Sequence, residues 1–341
     1  MELKLPYLLK NSNICYYDEQ KLYIGNRKIF PFEKSFVICS NSEEISTAIK
    51  NMITQGGGPL QVALTSMCYL TSQMCNNILE YDFDTLCKNM QTIINSRPTN
   101  TTMKRVIEEL LLKLKEVMIK STPIQFRDYV IECVKEKEHE EDLVYHNMGL
   151  LGSSLLNDGD TILTTCFAEH TLILSIYYAI KEGKSIKVLA NETRPYFQGS
   201  RLTAPSMKEM GIPVNIITDS MGAYFMRNGE VNHYMSASDL VCMDGTVVNK
   251  IGTLSNAIAA YYYGIPYTAF SMSPDKTKTD KNKIKMELRD GKEILNIFNH
   301  PISEEGIEAL YPAFDIIDSK LVTNIVTNKG IFSPNKIKEY F

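Results

Sequence analysis

Thr161-Ile162-Leu163-Thr164-Thr165-Cys166 is a short β-type run that follows the turn signal Asp158-Gly159-Asp160. A run of that length after such a turn predicts a strand over 161–165. Working downstream, the pattern alternates: helix over 169–180, strand 186–190, helix 204–210, strand 214–218, helix 221–228, strand 234–242, helix 251–263 and strand 267–271. This rhythm predicts an α/β fold, a Rossmann-like parallel sheet covered by helices on both faces. Ligands of such sheets sit in the crevice beyond the strand carboxyl ends. Cys166, Glu192, Asp219 and Asp239 are expected at that edge.

Upstream the texture differs. Short β-type runs over 14–17, 21–24 and 35–39 predict a small sheet. Ser42, as an N-cap with Glu44 close behind, opens a helix through Ile45, Ile49 and Met52 that should stop at Gly56-Gly57-Gly58. Apolar spacing of three and four residues predicts helices over 83–95, 102–117 and 125–155. The 341 residues exceed the usual domain of about 100–200. Two domains are therefore expected: a smaller N-terminal one of small sheet plus helices over 1–130, and the Rossmann-like one over 131–341.

Composition narrows the function classes. With 44% hydrophobic and 22% charged residues the chain is of globular type. A net charge of −4 with scattered Lys and Arg argues against a nucleic-acid partner, which needs clustered cations. The charge run 276–285 reads as a solvated loop. Apolar runs such as 171–180 and 257–263 fall short of the roughly 20 residues that cross a bilayer. No secretory signal pattern is visible at residues 1–10. The eight cysteines include no C-x-x-C pair, which fits a reducing cytoplasm. Neither G-x-G-x-x-G nor G-x-x-x-x-G-K-[ST] follows a strand, so no nucleotide cofactor is expected. The five histidines are dispersed, so no metal is expected either.

Two reactive groups stand out. Cys166 lies between a strand and a helix whose N-terminal amides would lower the thiol pKa, although a buried inert cysteine would look the same. Asp239 lies in Ser236-Ala237-Ser238-Asp239-Leu240-Val241, a small and apolar run in which desolvation would keep a carboxyl protonated, unless it is only a cap. The loop 191–204 is dense in polar side chains, as functional loops are. Asn249-Lys250-Ile251-Gly252-Thr253 is expected to open a helix where an anion is welcome. Gly56-Gly57-Gly58-Pro59, ahead of an apolar helix over 60–70, offers backbone amides to a phosphate or is merely a turn.

In this order the segments resemble the methylthioribose-1-phosphate isomerase family, within a superfamily shared with regulatory subunits of the translation-initiation guanine-nucleotide exchange factor. The similarity rests on Glu192-Thr193-Arg194-Pro195, Gln198-Gly199, Arg201-Leu202-Thr203-Ala204, Ile217-Thr218-Asp219-Ser220-Met221 and Asn249-Lys250-Ile251-Gly252-Thr253. Later come Glu287-Leu288-Arg289-Asp290, Pro312-Ala313-Phe314-Asp315 and Thr327-Asn328-Lys329-Gly330, which point to the isomerase branch.

The resemblance implies conversion of 5-methylthioribose 1-phosphate to its ketose in methionine salvage, with a homodimeric assembly. Its catalytic pair maps to Cys166, in Ile162-Leu163-Thr164-Thr165-Cys166, and to Asp239. The family's chemistry implies Asp239 as the acid and a Cys166 thiolate as the base. Substrate binding maps to Gly56, Gly57, Gly58, Arg97, Gln198, Asn249 and Lys250.

The sequence departs from the family in four places, one of them Ser273-Pro274-Asp275-Lys276, where the family's S-T-x-D loop is poorly kept. Gln55-Gly56-Gly57-Gly58-Pro59 replaces an R-G-A-P motif, Leu240 replaces an arginine, and Phe167-Ala168-Glu169-His170 replaces N-A-G after the cysteine. They leave open a related substrate, 5-deoxyribose 1-phosphate or ribose 1,5-bisphosphate, and a non-catalytic regulatory protein.

Overall fold

The computed structural model describes residues 4–97, 101–286, 288–298 and 300–341. The chain divides into two compact units, Tyr7–Leu143 and Val144–Phe341, the latter joined by the described part of Met1–Pro6. The division falls inside one long helix, at 143/144, whereas the sequence places it at 130/131.

In the first unit, α1 (Asn11–Ile14) leads into an antiparallel sheet of β1 (Cys15–Tyr17), β2 (Leu22–Gly25) and β3 (Phe36–Cys39). Helix α2 (Ser42–Lys50) begins one residue earlier than expected, because Asn41 and not Ser42 is its N-cap. The Asn41 side chain accepts from the Glu44 N–H at 2.9 Å, while the Glu44 carboxylate accepts from Ser40 N–H at 2.7 Å. Helix α3 (Gly58–Cys75) carries Pro59 in its first turn and is buried nearly all round. Val62, Leu64, Met67, Tyr69 and Leu70 form the centre of this unit's core. Helices α4 (Phe83–Ile94) and α5 (Thr101–Ile119) pack against it, and α6 (Pro123–Ser153) follows.

The second unit is the expected α/β layer structure. Strands β4 (Thr161–Thr164), β5 (Lys187–Asn191) and β6 (Val214–Ile217) alternate with α7 (Glu169–Lys181), α8 (Ala204–Glu209) and α9 (Gly222–Arg227). After β7 (His233–Ala237) come β8 (Leu240–Val241), β9 (Val247–Lys250), α10 (Thr253–Tyr262) and β10 (Tyr267–Phe270). The chain then adds β11 (Leu288–Arg289), β12 (Asn296–Ile297), β13 (His300–Pro301), β14 (Tyr311–Pro312), β15 (Phe314–Ile317), β16 (Asn324–Thr327) and β17 (Gly330–Phe332). The central sheet has the order β17-β16-β10-β7-β4-β5-β6, parallel except for the edge strand β17. Its inner strands are buried on both faces, with Leu163, Tyr234, Tyr267, Ala269 and Ile325 at the core.

Two expectations need correction. The strand expected over 234–242 ends at Ala237, because the Ser238 N–H and hydroxyl both bond to Phe270 O, at 2.9 and 2.7 Å, and turn the chain out of the sheet. Leu240–Val241 joins a separate antiparallel sheet, β15-β9-β8. Asn249 and Lys250 end β9 instead of opening a helix, since Gly252 at φ +99° delays α10 to Thr253. The two- to four-residue strands after Phe270 are too short to show periodicity, and the sequence does not predict them.

Candidate active site

Cys166 lies two residues beyond the end of β4, in a left-handed conformation at φ +69°. Glu169, Thr193 and Phe197 are also left-handed, at +43°, +63° and +56°. Such angles are costly for side chains with a Cβ and concentrate where surrounding structure holds them. Here the surroundings are explicit. The Cys166 N–H donates to Thr193 Oγ1 at 2.8 Å, and Thr203 Oγ1 donates to Cys166 O at 2.6 Å. Asp219, after β6, accepts from the N–H groups of Thr193 and Arg194 at 2.8 and 2.7 Å. Glu192, beside it, has its carboxyl pKa raised by burial and by Asp219, with Arg194 opposing.

Below the thiol, a buried polar cluster ties the strand ends together. Thr165 Oγ1 lies 2.9 Å from Tyr234 Oη and 3.2 Å from Asn191 Oδ1, and Asn256 Nδ2 donates to both Thr165 Oγ1 and Asn191 Oδ1, at 3.1 and 2.8 Å. Satisfied buried networks of this kind rigidify their surroundings. They hold the ends of β4, β5 and β7 against α10.

The electrostatics reverse one expectation. The Phe167 N–H does lower the Cys166 pKa, as a helix entrance should, and Lys250 lowers it more. Desolvation outweighs both, and burial pushes the thiol up to about 11, with Asp239 and Asp219 adding to the rise. Asp239 differs as well. It is exposed, in the turn between β7 and β8, where its N–H donates to Val248 O at 2.8 Å. The desolvation inferred from its apolar flanks is therefore absent, because Leu240 and Val241 leave with the second sheet.

Lys250 is buried, and three aromatic faces surround its ammonium: Phe314 at 4.9 Å, Tyr196 at 5.5 Å and Tyr311 at 6.0 Å. Cation–π contact offsets part of its desolvation. Tyr196 donates to Glu293, which Arg289 also bonds at 3.1 Å. The buried Asn249 donates to Thr253 Oγ1 at 3.0 Å. The anion expected at the entrance of α10 is the chain's own Asp315, whose Oδ2 accepts from the N–H groups of Gly252 and Leu254 at 2.8 and 2.9 Å. Gln198 is buried, and its Oε1 has no hydrogen-bond partner.

Asp239 and Lys250 thus both act electrostatically on Cys166 in the second unit, which also holds Gln198 and Asn249. Sequence reasoning missed Tyr196, Tyr311 and Phe314 as the surroundings of Lys250. Two of them flank or lie in Pro312-Ala313-Phe314-Asp315, a motif quoted above without a role.

Gly56, Gly57, Gly58 and Arg97 lie in the first unit. Gly56 is left-handed at φ +64°, and the Gly58 N–H donates to Gln55 O at 3.2 Å. That amide is already committed to a turn. A buried guanidinium does stand at this loop, but it comes from Arg27, which donates to the carbonyls of Gln55 and, at 3.0 Å, Leu8. Arg97 is partly exposed at the end of α4; Pro98 and Thr99 of its motif, like Glu287, lie outside the described residues. Among the described residues no three His, Cys, Asp or Glu side chains cluster as metal ligands, and no helix is long and apolar enough to cross a membrane.

The Initiation factor 2 subunit family matches residues 63–334. The chain belongs to this family. Among its relatives, the methylthioribose-1-phosphate isomerase of Thermosipho africanus is 33% identical over 341 residues, covering 96% of each chain. The delta subunit of translation initiation factor eIF-2B from A. fulgidus superposes with a TM-score of 0.79 at 27% identity, over 95% of this chain and 96% of that one. The 5-methylthioribose 1-phosphate isomerase of Pyrococcus horikoshii superposes with a TM-score of 0.80 at 23% identity, over 99% and 98%. The last is a likeness of fold. The same fold is thus carried by proteins named as an isomerase and as a translation-factor subunit.

Proposed function

We propose that this protein is an aldose–ketose isomerase converting 5-methylthioribose 1-phosphate to 5-methylthioribulose 1-phosphate, the reaction of methionine salvage, in the cytoplasm. The observation that carries this is the Cys166 thiol, held in a left-handed loop within electrostatic range of Asp239 and Lys250. The full-length relatives named for this isomerase supply the substrate.

The chemistry follows from the phosphate on the anomeric oxygen. Such a sugar cannot open its ring unaided, so the ring oxygen needs an acid while C2 loses a proton. With its pKa near 11, the thiol carries its proton at neutral pH and enters as the acid, opposite to the assignment that the resemblance implies. It protonates the ring oxygen as the C1–O bond breaks, and the exposed Asp239 takes the C2 proton, leaving an enol phosphate. Asp239 then returns a proton to C1. The C2 hydroxyl gives its proton to the thiolate, so both groups are restored and the C2 carbonyl is formed. Lys250 stabilises the transient thiolate. Gln198 and Asn249 bind the sugar phosphate; for Arg97, Gly56, Gly57 and Gly58 a binding role is proposed from the resemblance alone.

The test is kcat/KM on 5-methylthioribose 1-phosphate, 5-deoxyribose 1-phosphate and ribose 1,5-bisphosphate. The first is expected to be the best substrate. Arg97→Ala should raise KM tenfold or more, since a lost charge-assisted contact is worth about 1.5–3 kcal/mol. No turnover of any of the three would hand the case to a regulatory protein like the eIF-2B subunit.

The proposal includes a homodimer formed through the second unit, with no nucleic-acid or membrane partner. Helices α9 and α10 pack together and leave Tyr224, Ile258, Tyr261 and Tyr262 exposed, with Met221 beside them. Apolar patches of this sort mark association surfaces, and twofold dimers are the commonest assembly. Light scattering is expected to give twice the chain mass, and Tyr262→Asp to shift the protein toward monomer. A monomer mass at every concentration would end this part of the proposal.

A further inference from the structure

Tyr311 lies in the short strand β14, paired with Arg289 of β11, and is buried to 3% exposure. Its ring faces the Lys250 ammonium at 6.0 Å and meets the Tyr196 ring edge-on at 6.3 Å between centroids. Its hydroxyl has no hydrogen-bond partner. The Tyr196 hydroxyl, whose own proton goes to Glu293, lowers the Tyr311 pKa as a hydrogen-bonding neighbour would, but the two oxygens fall short of hydrogen-bond geometry. Cys166 is also within electrostatic range of this hydroxyl. A buried phenol oxygen without a partner costs stability, and proteins leave few such groups unless a ligand completes them. Packing alone would be served as well by phenylalanine.

We propose that Tyr311 is a further substrate-contacting residue, its phenolic O–H donating a hydrogen bond to the C2 oxygen of the sugar phosphate beside Cys166 and Lys250. This rests on the isomerase reading above. C2 is the carbon whose hydroxyl becomes a carbonyl, so a donor there follows the oxygen through the enol and into the product. Burial raises the Tyr311 pKa well above the usual phenol value, with Glu293 adding to the rise, so the group stays a donor across neutral and mildly alkaline pH.

Tyr311→Phe removes one oxygen and keeps the ring against Lys250. Because the free protein loses no hydrogen bond, its Tm should equal or exceed that of wild type. The expected result is a fall in kcat/KM of about 10- to 100-fold on 5-methylthioribose 1-phosphate, most of it in kcat, since the bond follows a changing oxygen. A kcat/KM within twofold of wild type would overturn the inference, as would an activity loss accompanied by a lower Tm, which would mark the hydroxyl as structural. Active wild type with an unaffected variant removes Tyr311 alone. Wild type inactive on all three sugar phosphates removes the isomerase reading and this inference with it.

Discussion

Replacing Cys166 by serine is expected to lower kcat at least a hundredfold with little change in Tm, and Asp239→Asn is expected to do the same. Removing a positioned general acid or base costs about 10²–10⁴ in rate. Neither side chain is part of the packed core: Cys166 is held through its backbone N–H and C=O, and Asp239 is exposed. Turnover within threefold of wild type for either variant would remove that residue from the mechanism.

The proton positions give a sharper check. Because burial holds the thiol near 11, it is protonated below that pH. Iodoacetamide labelling of Cys166 should still be rising above pH 9, where an ordinary thiol levels off. Asp239, being exposed, should exchange its captured proton with water, so isomerisation in D2O is expected to place deuterium at C1 of the ketose. Labelling that levels off near pH 7 would instead restore Cys166 as the resting base.

The second large effect is expected at Gly199. A Cβ there would lie 1.6 Å from Asn191 O and 3.3 Å from Thr193 Oγ1. The obstruction is backbone at the end of a central strand, so it cannot rotate away. Gly199→Ala should therefore push the 193–199 loop off β5, at a cost of about 3 kcal/mol or more. The Thr193 hydroxyl that holds the Cys166 N–H would move with it, so activity should fall together with Tm. Gly211→Ala is the control. Gly211 is left-handed at φ +73° with nothing near its missing side chain, so it should cost only about 1–2 kcal/mol and leave kcat unchanged. Equal melting temperatures for wild type and Gly199→Ala would show that the loop is not held by this close approach.

The site was legible in part. Cys166 was recognisable because a strand pattern ending in Thr-Thr-Cys before a helical pattern places the cysteine at a strand end, whatever surrounds it. The loop 191–204 stood out by its polar density, whereas Gln198 within it was named only through the family resemblance. Asp239 was singled out, but its environment was misjudged, because the apolar residues after it serve a different sheet. Tyr311 carried no signal, since a two-residue strand has no period and a tyrosine beside a proline is unremarkable.

Local chemistry along the chain therefore determined the alternation of strands and helices in 161–271, the small sheet and helices before it, and the position of Cys166 after a strand. Those properties depend on side-chain period and turn residues, which are written in consecutive positions. Tertiary structure alone decided the upward push on the Cys166 thiol pKa, the aromatic surroundings of Lys250 and the anion that fills the entrance of α10. Asp315 reaches that entrance from 63 residues away, and Lys250 is enclosed by Tyr196 from one segment and by Tyr311 and Phe314 from another more than a hundred residues later. A pKa or a binding contact follows from desolvation and from neighbours through space, and neither leaves a period in the sequence.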